Sequence, residues 1–367
     1  MPSLEVIAAD PPAEPDWDEF VRGHPDASPY HLAAWTEILE RSYRFRPLCR
    51  AVRDQAGGLR GVLPLLGRTG PLSGRRLRSL PVVPTGGPLA DSPEAMALLL
   101  ADACRLARER RAALVIESRI EGLERFSPGI AGYERPPSWV LELIGDESEW
   151  LAARSKNMVR DIRKAEKSGQ TVRNGDSEAD LRAFYDLYLR TMRRHGSLPR
   201  LYRQLRLARA ALRPLGVFRL FVVEDRGRIV AGGVFHAFND TVELFYNASD
   251  LGSRSKLPNH LLYRHVIGWS MDRGFRKLDF GFAWPDSSLG KFKARWGAQP
   301  VAEHGYAFAP DRPEGASAGP ARAAGAAAGA GAAAGAGAPN SSLALRLWPR
   351  LPLTVTRAAS TLAYRYL

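Results

Sequence analysis

Two stretches of the chain follow one plan, and that repetition limits the fold more than any other feature. Phe45 to Ser118 reads strand, glycine-bearing turn, strand, a further extended run, helix, strand; Val217 to Gly281 reads the same. The first turn is Asp54-Gln55-Ala56-Gly57-Gly58 and the second Asp225-Arg226-Gly227, each between apolar runs as a hairpin requires. Each hairpin leads through an extended segment to one amphipathic helix, then to a short strand carrying an acid, Glu117 in the first copy and Asp279 in the second. Two helical stretches precede each hairpin, from about Trp17 and His31 in the first copy and from about Asp180 and Leu198 in the second. A duplicated α-α-β-β-β-α-β unit predicts two similar α/β domains facing each other across a cleft.

Length allows this, since 367 residues suffice for two cores and 45% hydrophobic content is ordinary for globular protein. No apolar run approaches the roughly eighteen residues needed to span a bilayer. The N-terminus, with Asp10, Glu14, Asp16 and Asp18, lacks the basic start and apolar stretch of a secretory signal. Cys49 and Cys104 suggest no disulfide framework, and no metal-ligand spacing appears. Cytoplasmic residence is the expectation, with peripheral contact at the inner face of the membrane as a further option. The net charge of +13 favours anionic partners: nucleic acid, a phosphate-bearing substrate or an acidic membrane face.

In the first copy, Ser92 is placed to cap a helix with Pro93 at its first position, and Met96, Leu99, Leu100, Ala103 and Leu106 share one face. In the second, Leu262, Val266 and Trp269 make the matching stripe, and Gly274 is placed to end the helix. A joining segment, Pro136 to Gly145, leads into the second copy. Trp150 to Gly169 then reads as one helix with Lys156, Arg160, Arg163, Lys164 and Lys167 on a single face. A solvated charged face and an anion-binding face are equally good readings of that cluster.

Boundaries follow at 1–145 and 146–310 for the two domains. Residues 314–339 are almost entirely Ala and Gly and read as a flexible tether. Residues 340–367 interleave leucines and Trp348 with Arg346, Arg350, Arg357 and Arg365, which suits docking on the body or lying on an anionic membrane. Pro349 and Pro352 prevent one uninterrupted helix there.

Ser155-Lys-Asn-Met-Val-Arg-Asp-Ile-Arg-Lys-Ala-Glu-Lys-Ser-Gly169 resembles the K-x-x-R-x-x-I-R-K-A-x-K-x-G segment of FemAB-like proteins. Tyr246-Asn-Ala-Ser249, Leu257-Pro-Asn-His-Leu-Leu-Tyr263, Leu278-Asp-Phe-Gly281 and Gly290-Lys-Phe-Lys-Ala-Arg-Trp-Gly297 follow in that family's order. The likeness covers roughly Trp150 to Gly297, and the first half is similar more loosely. It is strongest to the branch associated with exopolysaccharide and exosortase (PEP-CTERM) systems, grouped with CelD- and BioF2-like acetyltransferases. The resemblance implies an α/β (α+β) architecture of two tandem GNAT-like domains, each a mixed sheet flanked by helices. It also implies transfer of an acyl or aminoacyl group to an amine of a cell-envelope precursor, peptidoglycan or exopolysaccharide. The donor would be aminoacyl-tRNA or acetyl-CoA, and the acceptor an anionic lipid- or nucleotide-linked glycan. A non-catalytic protein binding an anionic glycolipid is a rival reading.

Acyl transfer needs a deprotonated amine and a stabilised oxyanion. Glu117 stands where peptidoglycan-bridge members carry an acid proposed to be catalytic, Asp279 holds the equivalent place in the second copy, and Arg119 is an obvious partner for Glu117. Lys293 matches the lysine of the family's F-K motif, with Lys291 on the other side of Phe292; the bland alternative there is an amphipathic hairpin. Asn259 and Tyr263 open the second helix, whose N-terminus suits an anion, with Tyr246 just before and Arg254 adding charge. Acetyl-CoA-using GNAT domains place an R/Q-x-x-G-x-G/A turn here. Gly252-Ser-Arg-Ser-Lys-Leu-Pro-Asn259 has no such glycine pair, which favours aminoacyl-tRNA, whose affinity rests largely on phosphate contacts.

Overall fold

The computed structural model describes residues 3–70, 74–310 and 352–366. The proposed tether lies outside them. Among the described residues the chain forms two compact units, one from the residues up to Arg135 with 302–310 and 361–366, the other from Pro136–Val301 with 352–360.

The first unit starts from the expected pair of helices, α1 (Trp17–Gly23) and α2 (Ala34–Tyr43). Its small antiparallel sheet has the order β1 (Glu5–Ala8), β3 (Arg50–Arg53), β4 (Leu59–Leu63), β7 (Leu89–Ala90). Asp54 Oδ1 accepts from the N–H groups of Ala56 and Gly58, both at 2.9 Å, and so closes the β3–β4 turn. A larger sheet runs β2 (Arg46–Pro47), β5 (Leu65–Gly70), β6 (Gly74–Ser79), β8 (Ala113–Ser118), β17 (His304–Phe308), β9 (Ala131–Glu134). Here β6 and β8 are parallel, which requires a crossover. That crossover carries α3 (Pro93–Arg110), capped by Ser92 Oγ accepting from Ala95 N–H. The whole stripe from Met96 to Leu106 is buried.

The second unit holds one seven-stranded sheet in the order β11 (Thr171–Asn174), β12 (Phe218–Asp225), β13 (Arg228–Phe238), β14 (Thr241–Ser249), β15 (Lys277–Phe282), β10 (Ser138–Glu142), β16 (Gln299–Val301). Helices α6 (Glu178–Arg194) and α7 (Tyr202–Leu212) precede the β12–β13 hairpin, as the repeat requires. The β14–β15 crossover contains α8 (Pro258–Met271), with Gly274 at φ 76° just beyond it. Part of the joining segment is thus a sheet strand, β10, pairing with both β15 and β16. A last helix, α10 (Leu353–Tyr366), begins after Pro352, and its Tyr364 ring meets Tyr43 edge-on at 4.9 Å.

One local expectation, and one alternative, need correction. The single helix read over 150–169 is two, α4 (Glu147–Ala152) and α5 (Lys156–Glu166). Ser155 is extended between them and its Oγ caps α5 by accepting from Met158 N–H, so the break is a designed start. The segment around Phe292 is not a hairpin but α9 (Ser288–Arg295), capped by Ser287 Oγ accepting from Gly290 N–H at 3.0 Å.

Trp296, fully buried after α9, ties this unit together. It stacks on Trp150 at 6.1 Å and 14°, and meets Tyr263 of α8 at 5.6 Å and Phe280 of β15 at 6.3 Å. Removing an indole from such a seat leaves a cavity that neighbours on three separate elements cannot all close. Trp296→Ala should destabilise the protein by about 3–5 kcal/mol in urea denaturation, whereas truncating the exposed Leu251 should change little.

Candidate active site

The second unit's chemistry begins where two parallel strands part. β14 pairs with β15 over three positions, Thr241 with Lys277, Val242 with Leu278 and Glu243 with Asp279. It stays paired with β13 as far as Ser249, while β15 continues to Phe282 against β10. Backbone groups beyond a lost ladder need other partners. Lys293 supplies two of them: its Nζ donates to Gly281 O and to Phe282 O, both at 2.9 Å. Trp139 Nε1 donates to Ala283 O at 2.8 Å. The ammonium is only 4% exposed, and burial pushes its pKa down to about 7, with the Asp279 charge partly opposing the shift. Asp279 itself is engaged locally, since Oδ1 accepts from Gly281 N–H at 2.7 Å and from the Ser138 hydroxyl of β10.

At the far end of β14 stands the start of α8. Asn259 Nδ2 donates to Ser249 Oγ at 3.3 Å and joins helix to strand, while its Oδ1 is buried with no hydrogen-bond partner among the described residues. Leu257 adopts a left-handed φ of 56° to bring Pro258 into the first helical position. Tyr263, one turn on, is buried against Phe280 and Trp296, and that burial raises its phenol pKa. Arg254 is exposed, whereas Lys256 is bound to Asp225 at 2.7 Å. Tyr246 points elsewhere: its hydroxyl donates to Gln204 Oε1 of α7 at 3.0 Å, and its ring packs on Tyr188 of α6.

Helix α5 buries Met158, Ile162 and Ala165 and packs against α8, leaving Lys156, Arg160, Arg163, Lys164 and Lys167 exposed. Arg160 meets its neighbour Asp161 at 3.3 Å. Among the described residues the other four have no carboxylate within salt-bridge distance. Asp161 also bonds Arg295 at 2.8 Å, which sets this cationic helix beside the outer face of α9, the face of the exposed Lys291, with Lys293 on the buried face of the same helix.

In the first unit, Glu117 lies in a buried network on the larger sheet. Arg78 on the adjacent parallel strand pairs with it at 3.1 Å, and Arg135 lies at 3.8 Å. Arg119, the partner expected from sequence, reaches Glu303 at 3.1 Å, which Arg135 also meets at 3.4 Å. Tyr133 covers Gly305, where any side chain would strike its ring, and burial with the Glu117 charge pushes its phenol pKa up to about 12. The presumed equivalence of the two acids needs correction. The parallel ladders start at Ala113 and Lys277, so by register Asp279 corresponds to Val115, and Glu117 to Gly281. Sequence reasoning also missed Ser138, Arg78 and Glu303, whose contacts depend on strand order and carry no local signal.

Residues 152–286 match the family model for an acetyltransferase (GNAT) domain. No curated protein sequence matches the chain. Among solved structures, FemX is similar over 82% of this chain and 96% of its own, with 19% identity and a TM-score of 0.64. A C-terminal domain assigned to a lysylphosphatidylglycerol synthetase of Agrobacterium fabrum is similar over 79% of this chain and 90% of its own (13% identity, TM-score 0.53). A tandem GNAT protein from the clavulanic acid biosynthesis pathway is similar over 85% and 100% (15% identity, TM-score 0.53). The fold is therefore the tandem GNAT fold, and the protein is an acyltransferase.

A GNAT domain implies a donor of the acyl-CoA type. The β14–α8 connection fits a pyrophosphate poorly: it presents Pro258, which has no N–H, and Leu257 in place of a glycine pair. Among the described residues no group of three or more His, Cys, Asp or Glu could hold a metal ion, and no helix is long and apolar enough to cross a membrane.

The depressed Lys293 pKa has a defined signature. Between about pH 7 and the ordinary lysine value of 10.5, the unfolded chain binds a proton that the folded chain lacks, so stability rises with pH across that window. Denaturant midpoints measured from pH 6.5 to 10 should show this rise in the native protein, and the contribution should be missing in Lys293→Met.

Proposed function

We propose that the enzyme transfers an acyl or aminoacyl group to an amine of an anionic cell-envelope precursor, of the peptidoglycan or exopolysaccharide class. The observation that carries this reading is that α9 has an open ladder end seated on Lys293 at its buried face and a helix of largely unneutralised exposed cations tied to its outer face. Similarity to FemX and to a lysylphosphatidylglycerol synthetase domain supports it, as does the charge of +13.

In this reaction the acceptor nitrogen, freed of its proton, attacks the donor's carbonyl carbon. A C–N bond forms, the C–S or C–O bond to the carrier breaks, and the departing thiolate or alkoxide takes up a proton. Lys293 acts at the developing oxyanion or leaving group, with Asp279 biasing its charge. Lys156, Arg160, Arg163 and Lys164 hold the precursor's phosphates, and Lys291 and Arg254 extend that field. Asn259 lines the junction of β14 and α8, while Tyr263 supports it from the core and Tyr246 is turned toward α6 and α7. Glu117 is the candidate base carried by the first unit. Aminoacyl-tRNA is the favoured donor because the β14–α8 connection lacks a glycine cradle. The second reading, an acetyl-CoA-dependent N-acetyltransferase of exopolysaccharide synthesis, is favoured by the acetyltransferase match over 152–286.

The deciding experiment supplies the full chain with labelled acetyl-CoA or charged tRNAs together with envelope precursors, and identifies products by mass. Product from charged tRNA supports the first reading; product from acetyl-CoA alone selects the second. Lys293→Met and Glu117→Gln should each lower turnover by about 10²-fold. Unchanged turnover in Glu117→Gln removes that residue from the mechanism. Replacing Lys156, Arg160, Arg163 and Lys164 together by Gln should raise the precursor's KM tenfold or more with kcat largely kept.

A further inference from the structure

A second concave site lies where β12 begins. By register Phe218 is level with Glu243 and Asp279, the last pair of the β14–β15 ladder, and stands three strands, roughly 14 Å, across the sheet from β15. The pocket encloses about 250 Å³ and is walled by Arg209 and Arg213 at the end of α7, Arg219 at the start of β12, Arg273 beyond α8, and Trp269. Arg209 and Arg213 are held by acids on the rim: Arg209 meets Glu178 at 3.2 Å and Arg213 meets Asp176 at 2.8 Å. Arg219 and Arg273 have no carboxylate partner among the described residues. Arg219 donates to Phe218 O at 3.3 Å, and both guanidiniums lie over the Trp269 ring, at 5.8 and 4.7 Å from its centroid.

Four guanidiniums against two acids leave a surplus of two positive charges in a half-enclosed space. Like charges packed on one indole repel, and Arg219 registers this: its pKa is lowered first by burial, then by Arg273 and Arg213, with the Asp176 charge opposing in part. A single carboxylate would engage one guanidinium fork and leave the other exposed. A diphosphate offers several oxygens and two or more negative charges, and guanidinium forks match phosphate geometry. The concave shape suits a compact ligand better than a flat lipid surface.

We propose that this pocket is a second ligand site of the enzyme, binding the diphosphate of a small soluble molecule such as a nucleotide. The diphosphate sits between Arg219 and Arg273, Arg213 closes one side, and the rest of the ligand projects outward. Such a ligand does not compete with acyl transfer at the β14–β15 end.

The test titrates pyrophosphate, and separately ADP, into the full chain at low salt by calorimetry. One equivalent should bind, more weakly as salt is raised. Arg219→Gln/Arg273→Gln should weaken binding at least tenfold and abolish the thermal stabilisation by ligand. Arg219→Lys/Arg273→Lys, which keeps the charge but loses the forks, should fall between. In the native protein, pyrophosphate should also protect Arg273 from phenylglyoxal, read by peptide mass, which holds the test open if the Gln variant fails to fold. The proposal is overturned if millimolar pyrophosphate and ADP do not bind, if the double variant binds as well as the native chain, or if Arg273 is unprotected. It is equally overturned if only phosphatidylglycerol vesicles are captured through these arginines.

Discussion

The second unit is organised by how few hydrogen bonds join β14 to β15. Three consecutive parallel pairs suffice to fix the crossover through α8, and the ladder then stops although both strands continue. Had it continued, the backbone groups near Gly281 would be satisfied by a strand and Lys293 would have no reason to be inside. The amine is thus drawn into a nearly dry environment by carbonyls left over from sheet formation. Its lowered proton affinity is a product of topology before it is a catalytic device.

The first unit uses the same parallel crossover and fills it differently. β6 and β8 also share three pairs, yet the space beyond them is occupied by an ion network of Arg78, Glu117, Arg135 and Glu303. Leu80 and Val82, in the buried connection after β6, take left-handed backbone conformations that branched side chains normally avoid. Main-chain contacts hold this connection, with Gly86 N–H and the Thr85 hydroxyl both donating to Glu117 O. One architecture has therefore been put to two uses, a seat for a titratable amine in one copy and a rigid charged lattice in the other.

Much of this was legible in the residues. The repeat gave the order of helices and strands, because hairpin turns, caps and apolar stripes are local signals: Asp54, Ser92 and Gly274 do what their types and positions require. The break at Ser155 was equally local and was overridden by the strength of the charge periodicity around it. What stayed hidden was set by partners distant in sequence. Ser138 meets Asp279, and Glu303 meets Arg119, only after strand order is fixed. The offset between Glu117 and Asp279 is a matter of ladder register, which a side-by-side alignment of two short strands does not reveal.

The placement of β17 has a consequence for biosynthesis. Residues 304–308 form an inner strand of the first unit's larger sheet, between β8 and β9, although they follow every strand of the second unit's sheet in the chain. On the ribosome, the amino-terminal unit must wait with an unfilled gap in its sheet while the second unit's seven-stranded sheet, all of it within 136–301, can already form. The usual vectorial order of maturation is reversed, and until residue 308 emerges β8 and β9 present bare edges for which a chaperone is the natural temporary cover.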